Sequence, residues 1–414
     1  MKNPFFNIII PSREHADTLP WTLKSCLNQN YENYQIIVVD NFSQDGTFEV
    51  VKQFCDSRIK YVNSKKRLSM SHNWEFALQH IEKGFAGVIG DDDGLVKNSL
   101  SKLAAIIEET DAAVVRPSNI VYYWPDVYDK NLNGMLFNIP FSNSYSWIDS
   151  KKLLNEVAEN LEYSHPYFLD LPTIYHGFID VEIIKGIKQR DGAFLNSCSP
   201  DMYSAVIVAA EIDKYIKLEI PVIINGMSAH SNGLSNNLSH INNNEIQKFM
   251  SEDIIPFNER LIPKGTKIKD MISRPILVAD QFLNAKEKNK SVPDIDIKNL
   301  INRSIKSASN WKRQEQFDSV INASRIVARI NNEVAFAEKI ISAVKYRPGK
   351  SERAGTFSFD PTKKLLQIDT LNSAANNVFQ ISEFIYEITL NKKYEKQLVN
   401  RQISMKDTFN ITNT

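Results

Sequence analysis

Cysteine is scarce in this sequence of 414 residues, which contains only Cys26, Cys55 and Cys198. Three cysteines without paired spacing indicate neither a disulfide framework nor a zinc site, so we expect reduced thiols in the core of a cytoplasmic protein. Long apolar runs are also missing. The N-terminal run is too short for a signal peptide, and none reaches the length of about 18 residues that crosses a membrane. We therefore expect at most peripheral contact with the inner face of a membrane.

Neither sign of charge is in excess, because 49 lysine and arginine residues balance 49 aspartate and glutamate residues. General nucleic-acid binders carry a basic excess, so we expect no nucleic-acid partner. Glycine is absent from the loop PSREHADT that follows the first apolar run. Its absence argues against the G-x-G-x-x-G signature of a dinucleotide-binding dehydrogenase, and against the glycine-rich, basic phosphate loop of a nucleotidyltransferase.

The first 115 residues contain a regular alternation of apolar runs and helical patterns. Continuous apolar runs indicate strands buried on both faces, and the helical patterns indicate crossovers between them. The alternation predicts an α/β fold with a mostly parallel sheet flanked by helices. The predicted strands are FFNIII at 5–10, QIIVVD at 35–40, RIKYVN at 58–63, FAGVIG at 85–90 and AAVVR at 112–116.

Three consecutive aspartates, Asp91, Asp92 and Asp93, follow the fourth predicted strand in the stretch VIGDDDGL. Adjacent carboxylates repel one another, so their charge needs a neutralising partner. In a parallel sheet the strand ends face one crevice, where Asp40 at the end of the second strand would join them. Carboxylates suit Mg²⁺ or Mn²⁺ shared with a diphosphate. The alternative is an acidic turn before the helix predicted from Ser99.

Two blocks of the sequence resemble family 2 glycosyltransferases, whose fold is called GT-A. The first is NIIIPSREHADTLPWTLKSCLNQNYENYQIIVVDNFSQDGT, and the second, GDDDGLVKNSL, resembles the Asp-x-Asp metal motif of that family. Gly90 stands where many members carry a further Asp, and Lys97 stands where Pro is common. The resemblance covers roughly the first 240 residues. It implies an inverting transferase that uses a nucleotide-sugar donor with Mn²⁺ or Mg²⁺.

The resemblance further implies a nucleotide-sugar site at the ends of the first strands. Asp40 would accept a base N–H, Lys65 and Arg67 would reach the diphosphate, and Asn73 would lie near the sugar-nucleotide. The alternatives are a capping carboxylate for Asp40, solvated cations for Lys65 and Arg67, and a helix-surface residue for Asn73. The first loop adds four implied contacts, which are Pro11, Ser12, Arg13 and Glu14.

A metal site and an acceptor side are implied in the same way. Asp91 would face the ribose or the metal, Asp93 would ligate the metal, and Asp92 would take either part, because the register of a three-aspartate run is ambiguous. His230 follows a late predicted strand, where some GT-A enzymes carry a histidine ligand; the alternative is a surface histidine. The implied acceptor-side residues, with packing as their alternative, are Trp124 and His176.

Inverting transfer needs a base that takes the proton of the acceptor hydroxyl. Family members usually place this acid at a helix start, about 100 residues after the metal motif. Asp201 in CSPDMY lies 108 positions after Asp93, in a predicted helix that Ser199 would cap. The alternative is a carboxylate that only stabilises the helix dipole. Glu211 and Asp213 are weaker candidates for the base.

The later part of the chain predicts a mainly helical C-terminal region. Residues 118–150 read as a long, partly mobile excursion, and residues 318–347 as one helix with apolar spacing of three and four. That helix would pair with another chain, giving a homo-oligomer, or with the helix predicted at 371–390. The predicted domains are a GT-A domain at 1–245, a connecting segment at 246–297 and a helical C-terminal domain at 298–414.

The function that these features favour is transfer of a sugar from a nucleotide-diphosphate donor to a hydroxyl of a glycan or glycolipid, in bacterial surface polysaccharide assembly. Two alternatives stay open. One is a nucleotidyltransferase-like enzyme on a similar sheet. The other is a non-catalytic scaffold that works through its C-terminal helices.

Overall fold

The computed structural model describes residues 2–127, 129–142, 144–231, 252, 254–264, 273–311, 313–347, 357–360, 365–371 and 375–390. Its centre is formed by parallel strands in the order β3-β2-β1-β4. These strands are β1 (Phe6–Ser12), β2 (Tyr34–Asp40), β3 (Ile59–Asn63) and β4 (Phe85–Val88). Successive side chains of a strand point to opposite faces. Ile8 and Ile10 therefore pack in one hydrophobic core, and Ile9 packs in the other.

An antiparallel part of the sheet follows β4. Strand β9 (Phe178–Asp180) pairs with both β4 and β6 (Val114–Tyr123), and β10 (Lys214–Met227) runs parallel to β6. Strands β5 (Gly94–Leu95) and β8 (Tyr145–Asp149) pair with β10. The sheet continues beyond β6 through β7 (Met135–Pro140), β12 (Leu365–Asp369) and β11 (Phe357–Asp360).

Helices cover both faces of the sheet, as the alternation of patterns predicted. Helices α1, α2 and α4 pack in one core, and α3, α5, α6 and α7 pack in the other, where α8 to α11 join them. The bounds are α1 (Leu19–Leu27), α2 (Thr47–Lys52), α3 (Met70–Ala77), α4 (Ser99–Thr110), α5 (Ser150–Asn160), α6 (Val181–Asp191), α7 (Pro200–Glu211), α8 (Arg274–Lys288), α9 (Ile297–Ser307), α10 (Gln314–Ile330), α11 (Val334–Ile341) and α12 (Val378–Leu390).

The C-terminal region is mainly helical, as predicted, but it also completes the sheet. Strand β12 pairs with β7, and α12 packs against α1 and β5 below the aspartate motif. Ile381 and Phe384 of α12 share a core with Trp124. The predicted boundaries at 245 and 297 stay predictions. The predicted connecting segment, 246–297, contains α8. The predicted helical domain, 298–414, contributes the strands β11 and β12.

The helix predicted over 318–347 is divided in two. Helix α10 ends at Ile330, Asn332 has a left-handed backbone (φ of 60°), and α11 begins at Val334. The apolar residues of α10 and α11 pack against α9, in the core that also contains α7, whereas α12 lies in another core. The predicted pairing with helix 371–390 is therefore wrong, because the two apolar faces bury against different partners. Homo-oligomerisation stays a prediction.

Two smaller expectations were also wrong. Much of the segment 118–150, which was expected to be partly mobile, forms the strands β6, β7 and β8. Strand β6 pairs with β7, and β6 and β8 both pair with β10 in the mixed sheet. Cys55 is exposed, whereas Cys26 and Cys198 are buried, and all three thiols are free. Within the described residues, no helix combines the length and the apolar character that a membrane span requires.

Candidate active site

The carboxyl ends of β1, β2, β3 and β4 open onto one crevice, and the loops there carry most of the predicted site residues. Four of these loop residues have a left-handed backbone although none is glycine: Glu14, Phe42, Lys65 and His176, with φ between 57° and 62°. Such conformations cost about 1–3 kcal/mol each and accumulate at functional sites. These four residues lie at the edge of the sheet where the site is predicted.

Asp93 lies at the centre of this crevice and is fully buried. Its Oδ1 accepts a hydrogen bond from the backbone N–H of Gly226 at 2.7 Å. Its Oδ2 accepts from the Gly90 N–H, from the Tyr175 hydroxyl at 3.0 Å, and pairs with His176 Nε2 at 2.7 Å. Oδ1 has one partner and Oδ2 has three, so both oxygens of the buried carboxylate are hydrogen-bonded within the protein. Metal ligation by Asp93 stays a prediction, but the observed bonds give this residue a structural role.

Asp91 faces the loop after β1. Its Oδ2 accepts from the backbone N–H of Arg13 at 3.3 Å, and its Oδ1 pairs with His15 Nδ1 at 2.5 Å. Burial lowers the pKa of His15, but the charge and hydrogen bond of Asp91 outweigh it, and the pKa is raised to about 9. The His15 side chain is therefore a cation at neutral pH, and it neutralises part of the aspartate cluster.

Asp92 is held from the end of β10. Its Oδ2 accepts from the Ser228 hydroxyl at 2.7 Å and from the Ser228 N–H at 3.2 Å, and its carbonyl accepts from Trp124 Nε1 at 3.1 Å. A Cβ at Gly226 would come within 1.8 Å of that carbonyl oxygen, so glycine is required for this contact. Burial, followed by the charges of Asp93 and Asp91, raises the pKa of Asp92 to about 7.

The donor set of this cluster fits a divalent cation only in part. Hard carboxylate oxygens at Asp91 and Asp92 suit Mg²⁺ or Mn²⁺, and burial together with the two neighbouring carboxylates raises the pKa of Asp92. Within the described stretches, however, no three His, Cys, Asp or Glu side chains form a complete metal-binding group. Ligands from a bound molecule, such as diphosphate oxygens, would have to complete the coordination.

Asp40 lies at the end of β2 and is buried, with donors on both carboxylate oxygens. The N–H of Ser43 donates to Oδ1 at 2.8 Å, while the Tyr61 hydroxyl and Asn63 Nδ2 donate to Oδ2 at 2.5 and 2.8 Å. Pro11 and Ser12 lie beside it in β1, where Ser12 pairs with Asp40 in register. The carboxylate is thus fixed by two donors from β3 on Oδ2 and by the Ser43 N–H on Oδ1.

The cations predicted for the diphosphate are paired with acids. Arg67 forms an ion pair with Glu14 and donates to the carbonyl of Asn41 at 3.1 Å, and Arg13 forms an ion pair with Glu252. Lys65 is exposed in the loop after β3. Asn73 lies in α3 and is buried rather than on the helix surface, and its Oδ1 has no hydrogen-bond partner within the described residues.

Asp201 lies in the first turn of α7, as predicted, although Ser199 makes no capping hydrogen bond. Its side chain is half-buried, and no described side chain donates a hydrogen bond to the carboxylate. Burial raises the pKa of Asp201, while the N–H groups of Met202 and of Asp201 itself and the charge of His176 oppose that shift. This carboxylate is therefore more basic than an ordinary one.

The segment from Thr173 to Gly177 joins Asp201 to the aspartate motif. The Thr173 hydroxyl donates to the carbonyl of Asp201 at 2.8 Å, and His176, three residues later, contacts Asp93. The N–H of His176 donates to the Val88 carbonyl at 2.9 Å, which fixes the segment against β4. A Cβ at Gly177 would lie 2.0 Å from the Thr173 carbonyl oxygen, so the tight turn requires glycine.

The weaker base candidates lie elsewhere. Glu211 ends α7, about 15 Å along the helix from Asp201, and pairs with Arg190 at 2.5 Å. Asp213 is exposed and pairs with Lys151 at 2.5 Å. Their partners and their distance along the chain separate both acids from the crevice, which leaves Asp201 as the base candidate.

The structure differs from the expectation at the predicted metal ligand His230 and at the two predicted acceptor-side residues, Trp124 and His176. His230 lies beside His15, with ring centroids 5.4 Å apart, and 3.6 Å from a carboxylate oxygen of Asp17, so it is at the crevice but contacts neither Asp91 nor Asp92. Trp124 and His176 are 6% and 4% exposed and bind the backbone of Asp92 and the side chain of Asp93. Both therefore support the motif from inside, and neither offers an open face to an acceptor.

Sequence reasoning missed several residues that the fold brings to the crevice. His15 is one position beyond the loop that was singled out, and Tyr61 and Asn63 belong to a strand that was noted only for its apolar character. Ser228 lies two positions before His230 in the segment that was considered. Alternation along β3, which places Tyr61 and Asn63 on the same face as each other, was the available signal.

Comparisons with known proteins agree with this geometry. Residues 7–165 match the model described as Glycosyl transferase family 2. The Escherichia coli protein "UDP-Glc:alpha-D-GlcNAc-diphosphoundecaprenol beta-1,3-glucosyltransferase WfgD" is 30% identical over 100 residues, which cover 24% of this chain and 40% of that protein. A "GalNAc(5)-diNAcBac-PP-undecaprenol beta-1,3-glucosyltransferase" of Campylobacter jejuni is 33% identical over 103 residues, covering 24% of this chain and 33% of that protein.

A solved structure extends the similarity of fold beyond these segments. TarS 1–349 of S. aureus in complex with UDP-GlcNAc matches with a TM-score of 0.50 at 16% identity, over 88% of this chain and 96% of that chain. The match supports a GT-A-type fold with helices beyond the sheet. The chain spans less than half the length of the curated relatives that it matches.

The bonds of Asp93 predict a large loss of stability on substitution. Asp93→Asn removes the buried negative charge and turns one of its two acceptor oxygens into a donor that faces a buried donor, so we expect the free energy of unfolding to fall by about 3–5 kcal/mol. Urea unfolding measures this change. Asp92→Asn is the matched control, with a smaller expected loss, because the amide oxygen still accepts from Ser228. Equal stability of Asp93→Asn and wild type would contradict the structural role.

Proposed function

We propose that this chain, which belongs to glycosyltransferase family 2, transfers a sugar from a nucleoside diphosphate donor to a hydroxyl of a glycan or lipid-linked acceptor, with inversion at the anomeric carbon. The observation that carries this proposal is Asp201. Its half-buried carboxylate has a raised pKa, receives no hydrogen bond from a described side chain, and is linked through residues 173–177 to the aspartate motif.

Asp201 acts as the general base in this proposal. The acceptor hydroxyl donates its proton to the carboxylate as its oxygen attacks the anomeric carbon, and the bond from that carbon to the diphosphate oxygen breaks on the opposite side. The raised pKa of Asp201 makes it a better proton acceptor. Because only the ionised carboxylate accepts the proton, the rate should fall as the pH drops through this pKa.

The donor nucleobase would bind beside Asp40. The buried carboxylate is an acceptor with two neighbouring donors, the Tyr61 hydroxyl and the Asn63 amide, which both bond Oδ2. Uracil and thymine present the complementary edge, an N–H between two carbonyl oxygens, whereas cytosine presents a ring nitrogen acceptor and guanine a second donor. A carbonyl oxygen of the nucleobase would replace Asp40 as the acceptor of the hydrogen bond from one of these two donors. We therefore propose a uridine or thymidine diphosphate donor, in keeping with the UDP-GlcNAc complex of TarS.

A divalent cation, Mn²⁺ or Mg²⁺, fits the acidic end of the crevice. Asp92, together with Asp91, would hold it with the diphosphate oxygens, and His230 beside His15 would be a further candidate ligand. When bound, such a cation neutralises the leaving diphosphate. The protein itself positions the two carboxylates through His15 and Ser228. Arg13 and Arg67 lie on the nucleotide side, where they would exchange Glu252 and Glu14 for phosphate oxygens.

The acceptor class is proposed from the relatives. The Escherichia coli and Campylobacter jejuni proteins are named for undecaprenol-linked acceptors, and a Bacillus subtilis relative, 27% identical over 112 residues, is named for teichuronic acid biosynthesis. We propose that this chain acts in the same kind of pathway, the assembly of a bacterial surface polysaccharide on the cytoplasmic side of the membrane.

The arrangement at Asp40 predicts selectivity for the base. UDP and dTDP should bind at least about tenfold more tightly than CDP and GDP, since one matched hydrogen-bond edge contributes roughly 1–3 kcal/mol. Tyr61→Phe should reduce this difference in affinity between the nucleotides, as measured by calorimetric titration. Tyr31→Phe is the control, because its hydroxyl bonds the Pro4 carbonyl at 2.5 Å, near the start of β1. Equal affinity of wild type for UDP and GDP would refute the assignment.

The carboxylate cluster predicts metal dependence. Excess EDTA should abolish transfer from UDP-sugars, and Mn²⁺ in excess of the chelator should restore it, because the diphosphate and the aspartates otherwise repel each other. Asp92→Asn should keep the fold and lose the Mn²⁺-dependent gain in UDP affinity. Full activity of the wild type in EDTA would show that no divalent cation is needed.

The proposed role of Asp201 predicts that its substitution lowers the rate of transfer without weakening the binding of UDP. Asp201→Asn should lower transfer by at least ~10²-fold and leave UDP affinity and stability nearly unchanged, because asparagine is also accepted at a helix start. Glu211→Gln, on the same helix outside the crevice, is the matched control and should be as active as wild type. A normal rate for Asp201→Asn would exclude it as the base, and loss of UDP affinity as well would assign it to the donor site.

A further inference from the structure

Helix α8 contains a fully buried carboxylate, Asp280, which joins three segments of the chain. Its Oδ1 accepts a hydrogen bond from the Asn258 N–H at 2.7 Å. Its Oδ2 accepts from the Ser197 hydroxyl at 3.3 Å and from the side-chain amides of Gln281 and Asn284, both at 3.1 Å. The loop before α7, the segment before α8 and α8 itself therefore meet at one side chain.

The chemistry of these partners explains why the residue is an aspartate. All four partners are donors, and an ionised carboxylate only accepts hydrogen bonds, so it serves all of them on its two oxygens. Burial raises the pKa of Asp280 to about 6, and the four hydrogen bonds oppose that shift. At neutral pH the side chain is therefore mostly ionised and accepts all four bonds.

The contact with Ser197 continues to the start of α7. The Ser197 hydroxyl accepts from the N–H of Ser199 at 3.4 Å, and Ser199 directly precedes the first residue of the helix. The carbonyl of Ser199 in turn accepts from the Tyr203 N–H at 2.9 Å, within the first turn. Two successive hydrogen bonds thus connect Asp280 to the turn that carries Asp201.

The first turn of α7 has a second set of contacts. The hydroxyls of Thr173 and Ser204 both donate to the Asp201 carbonyl at 2.8 Å, and Thr173 belongs to the segment that also contacts the aspartate motif. Because Ser199 makes no side-chain cap, the placement of this turn depends on such contacts with other segments. Thr173 supplies one of them, and Asp280 supplies another through Ser197.

We propose that Asp280 is a positioning residue for the transfer reaction, acting through Ser197 to hold the first turn of α7 where the Asp201 carboxylate reaches the acceptor hydroxyl. This proposal rests on the proposed function, in which Asp201 is the base. A displacement of about 1 Å in such a group lowers a rate by as much as about 10²-fold. The proposal gives α8, which lies outside the matched residues 7–165, a part in the reaction.

The test compares two hydrogen-bond partners of the same carboxylate. Ser197→Ala removes the bond from the loop to Asp280, and with it the acceptor of the Ser199 N–H. Asn284→Ala is the matched control. It also removes two hydrogen bonds, one to Asp280 and one from the Asn258 side chain at 3.0 Å, and neither of them involves the loop before α7.

The full chain with Mn²⁺ is assayed for UDP release from UDP-glucose and from UDP-GlcNAc, with water as the acceptor. We expect Ser197→Ala to lower kcat at least about tenfold and to leave KM close to the wild-type value, because the change displaces the base and not the donor site. Asn284→Ala should keep the wild-type kcat. Thermal melting establishes that each variant is folded.

Asp280→Asn should lower kcat as well, and adding Ser197→Ala to it should cause no further loss, since both changes break the same chain of bonds. Where Asp280→Asn does not fold, Ser197→Ala decides. A wild-type kcat for Ser197→Ala would overturn the proposal. So would an equal loss of kcat in Asn284→Ala, because the effect would then follow from the stability of α8.

Failure of the proposed function gives a different pattern, in which the wild type releases UDP from neither sugar. Hydrogen exchange over residues 197–203 then decides whether Asp280 holds α7. Ser197→Ala should accelerate the exchange of these amides, and Asn284→Ala should leave it unchanged. Exchange at the wild-type rate in Ser197→Ala would overturn the proposal independently of any activity.

Discussion

The buried carboxylate of Asp93 is the interaction on which the crevice depends. It joins the turn after β4, the end of β10 and the segment that reaches Asp201, through bonds to Gly90, Gly226, Tyr175 and His176. A buried charge is costly unless it is paired and hydrogen-bonded, and both carboxylate oxygens of Asp93 are bonded here. The same residue that the sequence suggests as a metal ligand thereby aligns the strand ends that carry the chemistry.

The crevice combines this fixed centre with charges that are only partly compensated. The side chain of Asp91 is bonded by His15, and that of Asp92 by Ser228. Burial and the two adjacent carboxylates raise the pKa of Asp92. Such an arrangement favours a cation together with a diphosphate. Arg13 and Arg67, which the sequence predicts at the nucleotide-sugar site, form ion pairs with Glu252 and Glu14.

The C-terminal region contributes to the same site although it is distant in sequence. Helix α12 and strand β12 form a core with Trp124, whose indole N–H holds the backbone of Asp92. Helix α8 supports the loop before Asp201. The predicted division of the chain at 245 and 297 therefore describes the order of the elements and not their contacts, since residues beyond both limits support the aspartate motif and the loop before Asp201, the candidate base.

The sequence by itself determined the parallel strands, their crossover helices and the acids at their ends, because continuous apolar runs and helical periods are local signals of burial. It also placed Asp201 at a helix start. Tertiary structure alone decided the division of labour among Asp91, Asp92 and Asp93, because neighbouring carboxylates differ only in the partners that the fold brings to each. The same reason explains why His15 and Ser228 were not foreseen: their contacts join segments far apart in the chain, and no spacing along the sequence records them.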